Sequence, residues 1–259
     1  MELLLAMILA HIIADFLLQS PQTVAEKSRG VLRGYLLHFG GHCAALALLT
    51  HPYFSAATAF LWIALPAAHL LIDWLKNRLF PHGHPAAALI FLLDQGLHLL
   101  LIFCAWQWTA PPPCVTVTSF YRRLLTPAGS ALMGPLFCSK TAPALFTAVI
   151  YGFVIFGGAA LVPKVLALEA FRLPGPAGRS GGSRRAGRYI GMLERAIILS
   201  LTLADAFAAI AFVLTAKSIA RYKELECRSF AEYYLAGTLL STLLAILGGL
   251  LIGSARGPL

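Results

Sequence analysis

Charge is what this sequence has least of. Only 12% of its 259 residues are Asp, Glu, Lys or Arg, against 59% hydrophobic, and the mean hydropathy is +0.77. A soluble domain carries about 25% charged residues, so this composition does not build an ordinary water-facing surface. The deficit is uneven, with 11 acidic residues against 20 basic ones. In a soluble protein that excess would suggest nucleic acid. Here Lys and Arg lie between apolar runs, where membrane topology and anionic lipid account for them, and no nucleic-acid partner is implied. Cysteine is sparse as well: five residues at scattered positions form no CxxC, which excludes a zinc ribbon and a thioredoxin-like motif. HExxH, a P-loop and a dinucleotide fingerprint are all missing too.

What the chain does have is apolar runs of roughly 17 to 25 residues. At about 1.5 Å per residue such a run crosses a hydrocarbon core of about 30 Å, and it is too long for a barrel strand of about ten residues. The runs predict an all-α, polytopic transmembrane bundle of about seven helices, at 3–19, 33–50, 57–78, 87–108, 143–168, 189–214 and 230–253. The first run lacks a basic leader and contains Asp15, so it reads as a retained helix rather than a cleaved signal. The predicted organisation is a four-helix unit over 1–110, an outer loop over 111–142, a helix within 143–171, a flexible basic linker over 172–188, and a C-terminal helical unit over 189–259.

Basic residues set the expected orientation. Lys27, Arg29 and Arg33, then Lys76 and Arg78, then Arg172, Arg179, Arg184, Arg185 and Arg188 alternate with sparser connections, which places the N-terminus outside and the C-terminus inside. Lys217, Arg221, Lys223 and Arg228 fall on the outer side of this scheme, against the rule. The outer loop holds Cys114 and Cys138, which can pair if it faces an oxidising compartment or remain two free thiols. Glu194 and Arg195 read as interfacial anchors, with Asp205 deeper in a continuous helix. Lys217, Arg221 and Glu224 share one face of an interfacial amphipathic helix.

The chemistry is concentrated in four pairs: His11/Asp15, His38/His42, His69/Asp73 and Asp94/His98. Each pair is spaced i, i+4, so both side chains lie on one helix face a turn apart. Counted from the predicted span ends, His11/Asp15 and His38/His42 lie about 6 to 13 Å inside the cytoplasmic boundary, His69/Asp73 at a similar depth and Asp94/His98 slightly deeper, so all eight share one layer. An antiparallel four-helix arrangement closes that layer into one polar chamber. Three Asp turned to lipid would cost on the order of 10 kcal/mol, so they must face inward. Imidazole with carboxylate suits a divalent metal, zinc first and iron or manganese next, and eight candidates leave room for two ions or for one ion with acid/base residues. Gln19 and Gln95 are placed to hydrogen-bond the ligands. Metal-free Asp/His hydrogen bonding, a proton relay, and haem held by His pairs are the alternatives. His82 and His84, in PHGHP, and His51, on the opposite side, read as solvated or interfacial.

The ordered set HIIADFLLQS, HFGGH, HLLIDWLK and LLDQGLHLL resembles a bacterial multi-pass inner-membrane family of unknown function. GRYIGMLER, AKSIARYKELE and AEYYLAGTLLS look like the second half of its longer members. The resemblance implies a polytopic inner-membrane protein and supplies no activity. The helical HxxxD pattern is also similar, more distantly, to membrane-bound metal-dependent hydrolases. That likeness implies a metal-activated water acting on a lipid or other amphiphile, with the bilayer as the chain's other partner. A divalent metal-ion transporter and a structural or accessory membrane protein with a metal-free polar layer are the competing expectations.

Overall fold

A computed structural model describes residues 1–80, 84–109, 111–125, 141–168 and 181–256, and every regular element among them is helical. The elements are α1 (Glu2–Leu18), α2 (Pro21–Ser28), α3 (Leu32–Thr50), α4 (Ala56–Leu79), α5 (Ala87–Thr109), α6 (Val115–Leu125), α7 (Thr141–Leu166), α8 (Gly181–Leu203), α9 (Phe207–Ala220) and α10 (Arg228–Arg256). The chain divides into two compact units, Met1–His84 with Ile90–Val149, and Pro85–Leu89 with Ile150–Leu259.

By length and composition α4, α5, α7 and α10 qualify to cross a membrane, and a fifth span is added if the bent pair α1 and α2 counts as one. The expected seven are not reached, for two reasons. The second expected span, α3, carries Arg33, His38, His42 and three glycines, which lowers its apolar character. The sixth is broken. Asp205 takes a left-handed φ of 52°, Ala206 N–H donates to Leu201 O at 2.9 Å and Asp205 N–H to Thr202 O at 3.2 Å, a Schellman cap that ends α8. Asp205 is therefore an exposed cap residue and not a carboxylate deep in a continuous helix.

In the first unit, one end is apolar. Leu3, Met7, Ala10 and Ala14 of α1 pack with Ala45 and Leu46 of α3, Leu61 and Leu65 of α4, and Ile102 of α5. Hydrocarbon gives no water-driven gain for burying such groups, so small residues that permit close approach, here Ala10, Ala14 and Ala45, carry much of the association. The α3–α4 turn is fixed by a capping box between Ser55 and Thr58, and by Trp62 Nε1 donating to Thr50 Oγ1 at 2.8 Å. At the same end Glu2 accepts from the Tyr53 hydroxyl at 3.0 Å and from Thr141 Oγ1. Burial, with the Glu2 carboxylate beside it, holds the Tyr53 phenol above its usual pKa.

The other end of this unit is shaped by α2, which lies in what reads as a loop. Ser20 caps its N-terminus by accepting from Thr23 N–H at 3.1 Å, and Pro21 takes the first helical position. Gly30, at φ 74°, closes it with Val31 N–H donating to Glu26 O at 2.9 Å. The axis turns 91° from α1 to α2, and α2 packs back on α3 at Gly34.

In the second unit three expectations change. Arg195 is 3% exposed and donates to Ser241 Oγ at 3.1 Å and to Ile155 O at 2.8 Å, so it is an internal strut and not an interfacial anchor. The Ile155 carbonyl belongs to a π-helical turn, Phe153–Gly157, whose wider winding disturbs the usual helical ladder. Lys217 donates to Glu194 Oε2 at 2.7 Å and to Thr238 Oγ1 at 3.1 Å, and α9 ends at Ala220, so Lys217 and Glu224 share no continuous helix face. Residues 181–188, read as linker from composition, are helical at the start of α8; in the first unit, α6 lies inside the stretch read as an outer loop. Cys138, with its pairing to Cys114, and His82 lie outside the described residues.

Candidate metal centre

All four pairs meet in the first unit. α1 supplies His11 and Asp15, α3 His38 and His42, α4 His69 and Asp73, and α5 Asp94 and His98. The i, i+4 spacing places each pair on one face, and α3 packs against both α1 and α4. In α1 the helix widens into a π turn, Ile13–Leu18, that carries Asp15. Such turns are rare and recur at functional sites. The histidines and Asp73 are 6% exposed or less, and the Asp15 side chain 10%.

Asp15 Oδ1 is the centre of the constellation. His42 Nε2 lies 2.8 Å from it, and His38 Nε2 and His69 Nε2 each 3.3 Å. His38 Nε2 and His69 Nε2 are 3.1 Å apart, so in the absence of a cation they must share one proton between them. Asp73 Oδ2 borders the same two nitrogens at 3.4 and 3.6 Å. The histidine rings form a continuous stack, with His42 and His98 each 3.9 Å from His69 between ring centroids. Three overlapping groups have donor atoms close enough to hold an ion: His11, Asp15, His42 and His69; His38, His69 and Asp73; and Asp73, Asp94 and His98.

The expected glutamines are in place. Gln95 Oε1 lies 3.3 Å from His11 Nε2, and its amide nitrogen donates to Asp94 Oδ2 at 3.5 Å. Gln19, with its amide oriented to its neighbours, donates to the Asp15 backbone carbonyl at 3.2 Å and accepts from Lys27 Nζ at 2.5 Å.

Two lysines complete the site, and the paired-residue pattern does not show them. Lys27 of α2 is 6% exposed and donates to Asp73 Oδ2. Lys76 of α4 donates to Asp73 Oδ1 at 2.6 Å and to Asp94 Oδ2 at 2.9 Å. Lys76 was legible, because it stands three residues after Asp73 on the same helix face. Lys27 required recognition of the helix framed by Ser20–Pro21 and Gly30. Asp73 and Asp94 are thus neutralised by lysine, whereas among the described residues the charged partners of Asp15 are all histidines.

The donor set fits a metal at Asp15. With Zn–N bonds of about 2.0–2.1 Å, ligand atoms of a tetrahedral site stand about 3.3 Å apart. Four of the six separations among Asp15 Oδ1, His38 Nε2, His42 Nε2 and His69 Nε2 are 2.8, 3.1, 3.3 and 3.3 Å, and His11 is the further donor grouped with Asp15, His42 and His69. Beside them is a cavity of about 20 Å³, room for one water, lined by His11, His42, His69 and His98 with Leu46 and Leu65 among its apolar walls. His98 Nδ1 and Asp94 Oδ1 are buried without a hydrogen-bond partner and face each other at 3.9 Å. The expected chamber is therefore a packed layer with space for a single water.

Residues 3–124 match the model of a family described as a protein of unknown function (DUF3307). The match covers a little under half of the 259 residues and contains all four pairs and both lysines. It ends before GRYIGMLER and the later stretches expected to share the likeness. No curated protein and no solved structure matches the chain.

Proposed function

We propose that the chain is a metal-dependent integral-membrane hydrolase of the bacterial inner membrane, holding one divalent ion at Asp15, His38, His42 and His69. The observation that carries this reading is the convergence of three imidazole nitrogens on the one site carboxylate that no lysine neutralises. Zinc is the first choice on the nitrogen-rich donor set, with iron or manganese next. Bound there, the ion would lower the pKa of a water in the adjoining cavity and so supply a nucleophile near neutral pH. An Asp or His outside that ligand set would take up the proton; His98 lines the cavity with its Nδ1 buried beside Asp94, and Gln95 Oε1 faces His11 Nε2.

The substrate class is a lipid or other amphiphile, because the site is sunk in a membrane unit and its cavity continues into apolar side chains. A cavity of one-water size means that the bond to be cleaved reaches the site only when the covering residues move. The same reading takes α3 and the broken α8–α9 pair as crossings, for seven in all, with the N-terminus outside. Ion transport is the competing function. Against it, Leu3, Met7, Leu46, Leu61, Leu65 and Ile102 form a buried apolar plug beyond the histidines, where an ion path needs polar groups.

The test is turnover of a panel of long-chain phosphoesters and carboxylic esters by the zinc-loaded protein in detergent. Chelator-sensitive hydrolysis that zinc restores, and that Asp15→Asn lacks, is the expected result. A protein that holds zinc and cleaves none of them would refute the hydrolase assignment.

A further inference from the structure

The cap at Asp205 also reverses the chain. Glu194 lies about 11 residues before it and Lys217 about 12 after it, so in one straight helix the two would stand about 35 Å apart. Lys217 Nζ instead donates to Glu194 Oε2 at 2.7 Å. α8 and α9 are therefore the arms of an antiparallel hairpin, with Asp205 at its tip.

The contacts with α10 give each helix of the second unit its direction. Along α8 and α10 they advance together: Arg195 donates to Ser241 Oγ at 3.1 Å, and Thr202 Cβ would stand 2.7 Å from a Cβ on Gly249. Along α9 and α10 they run in opposite senses, with Lys217 donating to Thr238 Oγ1 at 3.1 Å and the Arg221 guanidinium 6.0 Å from the centre of the Tyr234 ring. α7 is antiparallel to α10 as well, because Leu166 Cδ1 would stand 3.2 Å from a Cβ on Gly237, and Val154 Cγ2 2.7 Å from one on Gly248. From α7 to α10, then, successive helices alternate in direction.

The hairpin also reaches from one boundary to the other. Thr202 is level with Gly249, so the exposed Asp205 just beyond it is level with the end of α10, where Ser254 and Arg256 leave the apolar run. At the opposite end Tyr189 and Tyr222, both exposed, and Tyr233 each stand one to two turns beyond the level at which Glu194, Lys217 and Thr238 meet. Tyrosines gathered at one depth mark a membrane interface. From Tyr189 to Asp205, and again from Asp205 to Tyr222, the rise is about 25 Å, against a hydrocarbon core of about 30 Å, a difference that local thinning of the bilayer absorbs.

We infer that α8 and α9 are two crossings, so that the chain passes the membrane four times between α7 and α10 and eight times in all. This rests on the membrane reading above, whose count of seven takes the pair as one crossing. The added crossing carries Lys217, Arg221, Lys223 and Arg228 to the cytoplasmic face, where the other basic connections lie, and the breach of the charge rule disappears. Arg256 is the one basic residue after Arg228, so the end of α10 lies outside without conflict.

The experiment is labelling of single-cysteine chains with a membrane-impermeant maleimide in right-side-out and inside-out vesicles. Cys227, exposed between α9 and α10, is a native reporter once Cys43→Ala, Cys104→Ala, Cys114→Ala and Cys138→Ala are in place. With Cys227→Ala added, Ser130→Cys, Ala204→Cys and Ser254→Cys report the stretch ahead of α7, the hairpin tip and the end of α10. Those three should label from one side and Cys227 from the other. Cys227 labelling with Ser130→Cys, and Ser254→Cys from the opposite side, overturns the inference in favour of seven crossings. Ala204→Cys that labels from neither side, or only from the side of Cys227, overturns it in favour of a hairpin that enters and leaves by one face. Because positions are compared with each other, Ser130→Cys labelling from the cytoplasm would reverse the orientation proposed above and leave eight crossings intact. Should the substituted chains fail to insert, a phosphatase fused after Ser130 or after Arg256 of the otherwise unaltered chain should report the same compartment, and different compartments overturn the count.

Discussion

Asp205 shows how a single residue can mislead a reading based on hydropathy. Apolar residues run on both sides of it, and neither Gly nor Pro marks a break, so the run from 189 to 214 reads as one helix. The chain instead turns at a left-handed Asp, a conformation that costs a non-Gly residue about 1–2 kcal/mol. Asp205→Gly should therefore raise stability by about 1 kcal/mol, measured by thermal unfolding in detergent, and a loss of stability would mean the carboxylate makes a contact that offsets the strain. The site pairs were legible for the opposite reason. An i, i+4 spacing is a geometric consequence of the helix itself, so His11/Asp15 and its three counterparts had to share a face once the helices formed. Lys27 was not legible in that way, because its place depends on a fold-back between elements.

At the scale of elements, α2 decides whether the cluster is closed. Its punctuation is in the sequence, with Ser20 and Pro21 at the start and Gly30 past the end, but its short length and low apolar content make it look like a loop. What the sequence does not carry is the 91° bend, which comes from the extended Gln19 and Ser20 between two helices and from the contact at Gly34. A methyl at Gly34 meets backbone atoms of α2 that have no room to yield. Gly34→Ala should destabilise by about 1–3 kcal/mol through overpacking, despite the better helix propensity of Ala. Gly40, in the same helix, has nothing within 4 Å of an added Cβ, so Gly40→Ala should instead stabilise by about 0.5–1 kcal/mol. Unfolding curves for the two variants side by side check both signs. Equal shifts would show that α2 does not rest on Gly34.

At the scale of the whole molecule, the division of labour lies along the first unit: apolar packing from Leu3 to Ile102 at one end, a buried His/Asp/Lys layer at the other. The all-helical membrane class was legible from composition, because only helices satisfy their own backbone over such runs. The number of crossings was legible in part: four helices, or five with the bent α1–α2 pair, qualify by length and composition, because Leu32–Thr50 spends its apolar character on the site and the α8–α9 break leaves no compositional mark. The apolar end predicts that reconstituted protein shows no zinc or manganese flux under a pH or metal gradient. Uptake into proteoliposomes that His69→Ala abolishes would make the protein a transporter.

The central claim is the ion at Asp15, and elemental analysis of purified protein tests it most directly. Wild type should carry close to one equivalent of zinc, iron or manganese, the His38→Ala/His42→Ala variant and Asp15→Asn should carry almost none, and Asp94→Asn, outside the ligand set, should keep it. Metal-free wild-type protein after purification without chelators and equilibration with zinc, or equal metal in wild type and the double-histidine variant, would contradict the claim and leave a proton-sharing His/Asp layer in its place.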